Sequence, residues 1–175
     1  MLSKITLLLK QHISVVLFFG FLLFIIISVW YNGYSSARQA QDLVNFANES
    51  VTEVDQSLDR LITQSNSYTK SGSYSSEQLE SLSALNSRLK VLNNKIPRRS
   101  TDPQSVNLKN SLTKFFKELS ELTLEPIMAD IRELEGQTPG YVILSTNLLK
   151  TQEYQNNIAS IQNYAAELSA RFVLS

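Results

Sequence analysis

The chain has no cysteine, and among its 175 residues it has only five glycines, four prolines and one histidine. Without cysteine it forms no disulfides, no thiolate metal sites and no cysteine nucleophile. The scarcity of glycine and proline favours long helices over a sandwich of short strands joined by many turns. The only histidine, His12, precedes a long apolar run. A Ser-His-Asp arrangement in the polar part of the chain is therefore excluded.

The chain also lacks an excess of charge of either sign, because 16 basic residues balance 16 acidic ones. Lys4 and Lys10 precede the apolar run, so the rest of the chain has a net charge of −2. A nucleic-acid-binding domain usually shows a basic excess, so we expect no nucleic-acid partner. Phosphate-binding glycine loops, zinc-protease motifs and the nucleophile elbow are absent from the sequence. We expect a protein without catalytic residues, cofactor or metal ion.

The longest apolar run covers residues 13–31, which are all uncharged. As a helix this run is about 28 Å long, close to the thickness of the hydrocarbon core of a bilayer. Trp30, Tyr31 and Tyr34 lie at its end, and such amphipathic rings settle at the level of the lipid headgroups. The sequence therefore predicts one transmembrane helix at 13–31, in contact with membrane lipids.

The charges beside this run predict its orientation. Lys4 and Lys10 precede it, whereas acidic residues outnumber Arg38 in the segment that follows. The positive-inside rule then predicts a cytoplasmic N-terminus at 1–12 and an extracytoplasmic domain at 32–175, anchored in the inner (plasma) membrane. A cleaved signal peptide is the alternative. Its apolar core is usually about 7–15 residues long and is followed by a small-residue cleavage site, so an uncleaved anchor fits better.

Four stripes of apolar residues at helical spacing follow the run and predict helices at about 35–64, 76–96, 103–135 and 141–172. Ser75 and Gln78 form a predicted capping box, and Asp102 with Pro103 predicts another helix start. Pro126 interrupts the third stripe, between Leu122 and Ile127, and predicts a kink or break there. The polar segments between the stripes, including the turn at 136–140, predict an all-α domain folded as an antiparallel four-helix bundle. The alternative is a three-helix coil in which the second segment is flexible.

Basic and acidic residues separate along the second and third predicted helices. Eight basic residues and one acid lie between Arg88 and Lys117, and six acids and one arginine lie between Glu118 and Glu135. In the third helix this order is the reverse of what the helix dipole favours, so the dipole does not explain it. The up-down order of the bundle places the 97–104 loop on its membrane side. We therefore predict that the basic residues around this loop contact anionic lipid or an acidic partner: Lys95, Arg98, Arg99 and Lys109.

The basic N-terminus, the single apolar helix and the four stripes, over residues 4–172, resemble the four-helix-bundle sensory region of bacterial chemoreceptors. The resemblance implies an extracytoplasmic ligand-binding domain that works as a dimer. The sequence departs from that family because it stops at "RFVLS", where a second membrane helix would begin. We therefore expect either a fragment of a receptor or a protein with no signalling output of its own. We therefore expect a non-enzymatic scaffold or interaction subunit of a membrane or envelope assembly. Its partners are other membrane or envelope proteins or a second copy of the chain in a homodimer. The alternative is a chemoreceptor-like ligand-sensing domain.

Overall fold

A computed structural model describes the backbone at residues 2–71, 75–98, 102–134 and 142–173, and the side chains at 18–66, 76–98, 102–134 and 142–172. Within these residues every regular element is helical, which confirms the predicted all-α class. The elements are α1 (Leu2–Ser71), α2 (Ser75–Lys95), α3 (Pro103–Glu118), a π-helical segment (Leu119–Leu124), α4 (Glu125–Glu133), α5 (Thr146–Leu149) and α6 (Gln152–Val173). The chain forms two compact units, Met1–Arg38 and Gln39–Ser175. The predicted turn at 136–140 lies outside the described residues.

The first unit consists of the apolar part of α1. The helix contains a stretch long and apolar enough to cross a membrane, and none of that stretch is buried within the protein. Phe21, Phe24 and Trp30 are 65%, 65% and 70% exposed, and the ring of Trp30 stacks on that of Tyr34. Tyr31 is also exposed. Lys4 and Lys10 lie in α1, at positions where only the backbone is described. A cleavable signal sequence would satisfy the same criteria of length and composition.

The second unit has one apolar core, to which α1 and all the later helices contribute. Most positions of the four predicted stripes face this core, as expected for amphipathic helices that bury one side. The largest side chains that are almost fully buried are Leu43, Leu58, Leu82, Leu89, Leu108, Leu112, Phe115, Phe116, Leu124, Ile131, Leu144 and Leu149.

The third predicted helix is divided by the π segment, close to Pro126. Proline has no N–H, and in an α-helix its ring would clash with the carbonyl group four residues earlier, that of Leu122. The helical turn before Pro126 is instead wider than an α-helical turn: the Glu125 N–H donates to the Ser120 carbonyl, five residues earlier. Consecutive buried leucines of the stripe are consequently five residues apart at this point, at Leu119 and Leu124.

This shift corrects the prediction for Leu122. The sequence pattern placed Leu122 in the core stripe, but its side chain is 65% exposed, whereas Leu124 is buried. Each α-helical residue advances by about 100° around the axis, so the wider turn rotates Leu122 away from the core.

The fourth predicted helix, 141–172, begins later than expected. Residues 142–145 are not helical. The short helix α5 ends at Leu149, and the next residue, Lys150, has a φ of −108° and a ψ of 63°, which are not helical values. Two hydroxyl groups cap the starts of the helices α5 and α6. Ser145 Oγ accepts from the Leu148 N–H, and Thr151 Oγ1 accepts from the Tyr154 N–H. The interruption shifts the helical register, so that Leu149 and Tyr154 are buried and Leu148 is partly exposed.

The predicted helix starts have different outcomes. Asp102 caps α3 by accepting from the Ser105 N–H at 3.0 Å, and Pro103 occupies the first turn, as predicted. The side chain of Ser75, the other member of the predicted capping box, lies outside the described side chains. The Gln78 amide donates to the Val142 carbonyl and accepts from the Val142 N–H. The start of α2 is thereby linked to the non-helical segment before α5.

Candidate functional site

The predicted basic site lies where α2 ends and α3 begins. A cleft of about 320 Å³ is lined there by Asn93, Asn94, Ile96, Pro97, Arg98, Lys109 and Thr113. Two of the predicted site residues, Arg98 and Lys109, therefore share one cleft. Lys95 is exposed on the last turn of α2, outside the lining, and Arg99 lies outside the described residues.

Lys109 is the most restrained cation of this cleft. Its Nζ donates to the Arg98 carbonyl oxygen at 3.0 Å, and this contact draws α3 to the segment that follows α2. Burial lowers the pKa of Lys109, because removal of water disfavours the charged amine. None of the residues that line the cleft is acidic. An anionic group that entered the cleft would therefore meet two cations, Arg98 and Lys109, and no carboxylate of the lining.

One polar atom in the cleft wall is also left without a hydrogen bond. Asn93 Oδ1 is buried and has no partner within the described part of the chain. A buried polar atom without a partner costs free energy, and such atoms often mark a place for water or a ligand. The amide and hydroxyl groups of Asn94 and Thr113 provide further hydrogen-bonding groups in the lining.

The remaining basic residues of the segregated stretch are neutralised by acids. Arg88 forms a bidentate contact with Glu53 of α1, with Nη2 to Oε2 at 2.8 Å. The other pairs are longer and exposed: Lys90–Glu125, Lys114–Glu118, Lys114–Glu153 and Lys117–Glu121, at 3.6, 3.6, 3.9 and 3.9 Å. The sequence analysis did not predict these pairs. Lys114–Glu118 and Lys117–Glu121 join residues one helical turn apart, whereas Lys90–Glu125 and Lys114–Glu153 form only when distant parts of the chain meet. The basic residues of the stretch that take no part in these pairs lie at the α2–α3 end.

The hydrogen bond from Arg88 is the main reason that the pKa of Glu53 is lowered, and the positive charge of Lys95 adds to the effect. The contribution of Lys95 shows that its charge acts on a neighbouring helix. In an exposed pair such as Arg88–Glu53, the net effect on stability is about 1 kcal/mol or less. This contact orients α2 against α1 more than it stabilises the fold.

A second charged cluster, which the sequence analysis missed, joins the α5–α6 break to α1. Lys150 Nζ lies 2.8 Å from both Asp55 and Asp59, and its side chain is only 10% exposed. The hydroxyl group of Tyr154 donates to Asp55 at 2.7 Å. No pattern in the sequence indicated this cluster, because Asp55 and Asp59 lie about ninety residues or more before Lys150 and Tyr154.

This cluster changes the ionisation of its members. Burial opposes the charge of Lys150, but the hydrogen bonds with Asp55 and Asp59 outweigh it and raise the pKa of Lys150. Burial also opposes the charge of Asp55, yet hydrogen bonds from Lys150 and Tyr154 lower the pKa of Asp55 on balance. Burial and the hydrogen bond to Asp55 raise the pKa of Tyr154. The cluster is thus an ionic lock between two helices.

Glu118, Glu121 and Glu125 lie within two helical turns of one another along the chain, but they do not converge on one point. Glu118 accepts from Asn157, Glu121 pairs with Lys117, and Glu125 pairs with Lys90. Over the described ranges, no group of three potential ligands is close enough to hold a metal ion. The carboxylates serve as ion-pair and hydrogen-bond partners in these contacts.

Comparisons with known proteins add no relative. No protein-family model matches the chain, and neither a curated protein nor a solved structure matches it.

Proposed function

We propose that the chain is a non-enzymatic, single-pass protein of the inner (plasma) membrane, and that its extracytoplasmic domain is an interaction subunit of a membrane or envelope assembly. The observation that carries this proposal is the apolar part of α1, whose large side chains are exposed from Phe18 to Tyr34. Transfer of one such side chain out of water is favourable by about 1.5–3 kcal/mol. A bilayer is the environment that would cover a whole helix of this length.

We further propose that the second unit is the antiparallel four-helix bundle expected from the sequence. Hydrogen bonds and ion pairs support this arrangement, because residue numbers rise on one helix as they fall on its neighbour. Along α1 and α2, Glu53 meets Arg88, whereas Ser65 and Gln78 both bond to Val142. Along α3 and α6, Asp102 meets Arg171 and Glu118 meets Asn157.

The basic cleft supports an interaction role over a catalytic one. It combines Arg98 and Lys109 with hydrogen-bonding side chains, and none of its lining residues is a carboxylate or an imidazole that could act as general base. We propose that it contacts an acidic segment of a partner protein or the headgroups of anionic lipids. Each basic residue near an anionic surface contributes about 1 kcal/mol.

The anchor is tested by mass spectrometry of the mature protein purified from membranes. An intact N-terminal peptide and resistance to extraction with alkaline carbonate are the expected results. A mature N-terminus near Arg38, with the protein in the soluble fraction, would contradict the anchor and leave a secreted domain.

The interaction role is tested with the double variant Lys95→Gln, Arg98→Gln, because both side chains are exposed and have no ion pair within the described residues. Loss of about 2 kcal/mol of attraction weakens binding roughly 30-fold. Arg60→Gln with Arg132→Gln is the matched control, since it removes the same charge elsewhere. Binding to anionic liposomes and co-purification of partners in mild detergent are compared. Equal binding by both double variants would refute the role of the cleft.

A ligand-sensing domain is the second candidate. The observation that favours it is a second cleft, beside the π segment, where a small molecule could contact two helices. A saturable ligand whose binding changes the association of two chains would distinguish this candidate from a constitutive interaction subunit.

A further inference from the structure

The second cleft lies between the π segment and the first turns of α6, and has a volume of about 280 Å³. Its size is just below the range of about 300–1,000 Å³ for pockets of drug-sized ligands, so it suits a small compound. Its lining divides into an apolar wall and a polar wall. The full lining is Phe115, Glu118, Leu119, Leu122, Thr123, Thr151, Gln152, Glu153, Tyr154 and Asn157.

The apolar wall comes from the π segment and the end of α3. Phe115 and Leu119 are buried, and Leu122 stands 65% exposed at the cleft. The wider turn caused by Pro126 is what directs Leu122 outward. π-Helical segments occur frequently at functional sites. A large apolar side chain exposed beside a cleft gives a ligand apolar surface to bury.

The polar wall has more negative than positive charge. Asn157 donates to Glu118 Oε2 at 2.7 Å and so holds this carboxylate in place. Glu153 belongs to the same lining, and Lys114 is the cation nearest to both carboxylates. It lies 3.6 Å from Glu118 and 3.9 Å from Glu153, at the long end of ion-pair distances. One lysine thus balances two carboxylates, which leaves one negative charge for a ligand cation to neutralise.

We propose that this cleft binds a small organic ammonium compound, with its apolar body against Leu119 and Leu122 and its ammonium group against Glu153, the more exposed of the two carboxylates. An ammonium group presents three hydrogen-bond donors, and both carboxylates are acceptors. A neutral compound of the same shape would gain the apolar contact without the ionic one. An anionic compound would meet repulsion from the two carboxylates. The site is independent of whether the chain is anchored in a membrane.

The absence of native cysteine permits a specific test on the full-length protein in detergent. Gln152→Cys places a thiol at an exposed position of the lining, and Gln162→Cys places a control thiol elsewhere on α6. The rate of thiol alkylation is measured with phenethylammonium and with phenethyl alcohol, its neutral analogue. We expect saturable protection by the ammonium compound at position 152 alone, with protection by the alcohol at least several-fold weaker.

Charge variants in the Gln152→Cys background complete the test. Glu153→Gln should weaken protection about fivefold, the effect of losing one partly exposed ionic contact. Glu167→Gln, on an exposed position of the same helix, should not change it. Equal protection by the alcohol and the ammonium compound would refute the charged recognition, and no protection by either would refute the site. If Gln152→Cys fails to fold, saturation-transfer NMR with the unmodified chain makes the same comparison between the two compounds.

Discussion

The side chain of Gln78 pairs with the backbone of Val142 as one strand pairs with another. Its Oε1 accepts from the Val142 N–H at 3.0 Å, and its Nε2 donates to the Val142 carbonyl. Ser65 adds two bonds to the same segment: its hydroxyl group donates to the Val142 carbonyl and accepts from the Leu144 N–H. Two side chains from α1 and α2 thus satisfy the backbone of a non-helical segment that would otherwise lack partners.

Gln78→Glu tests this clamp. The substitution keeps the shape but replaces the Nε2 donor with an oxygen that faces the Val142 carbonyl. We expect the free energy of unfolding to fall by about 1–3 kcal/mol, the cost of an unsatisfied buried polar group. Urea unfolding followed by circular dichroism measures the change. Gln162→Glu, at an exposed position, is the control and should unfold like the parent.

The π segment determines which of two leucines, Leu122 or Leu124, is buried, and this predicts unequal effects of replacing them. Leu124→Ala should lower the free energy of unfolding by about 2–5 kcal/mol, because it opens a cavity in the core. Leu122→Ala should change it by less than about 0.5 kcal/mol, because this side chain is exposed. A continuous α-helix with the stripe read from sequence would give the opposite order. Thermal unfolding of the two variants side by side decides between the registers.

The buried stripes predict strong effects of a single charge. Leu85 and Leu119 are 6% and 3% exposed, so an introduced carboxylate at either position would be largely removed from water. Leu85→Asp and Leu119→Asp should each unfold the domain or cost several kcal/mol. Loss of the helical circular-dichroism signal, or a much lower midpoint in urea, is the expected observation. Unchanged melting of either variant would show that its stripe does not face a core.

The ionic lock of Lys150 predicts a loss of stability in acid. The pKa of Asp55 is lowered in the folded protein, so its contribution is present above its pKa in the unfolded chain, about 3.9. That contribution disappears as the pH falls through the folded-state value. The pKa of Lys150 is raised, so its contribution is present below its unfolded-state pKa, about 10.4, and is lost as the pH rises through the folded-state value.

We therefore expect Asp55→Asn to lower the melting temperature at pH 7, and to lower it much less at a pH below the folded-state pKa of Asp55. Differential scanning calorimetry across the acid range measures both differences. Asp130→Asn, at an exposed position on α4, is the control, and should show no pH-dependent difference of this size. A constant difference between parent and Asp55→Asn at every pH would mean that ionisation of Asp55 does not stabilise the lock.

Features that depend on neighbours along the chain could be predicted from the sequence alone. The apolar run, the Asp102–Pro103 helix start and the break near Pro126 each follow from residues a few positions apart. The same holds for most of the apolar stripes, since a helix turns by a constant angle and its buried side repeats in the sequence. The proximity of Arg98 and Lys109 follows from the loop predicted between α2 and α3, whereas the contact of this loop with a partner or lipid stays a prediction.

Features that depend on elements far apart in sequence became visible only in the folded chain. The exposure of Leu122 and the burial of Leu124 follow from the wider π turn, which shifts the register of every later residue. The role of Gln78 depends on Val142, and that of Lys150 depends on Asp55 and Asp59. A hydrogen bond or ion pair needs its atoms within about 3–4 Å. Sequence periodicity records which side of a helix is buried, but not which residue of another helix it meets.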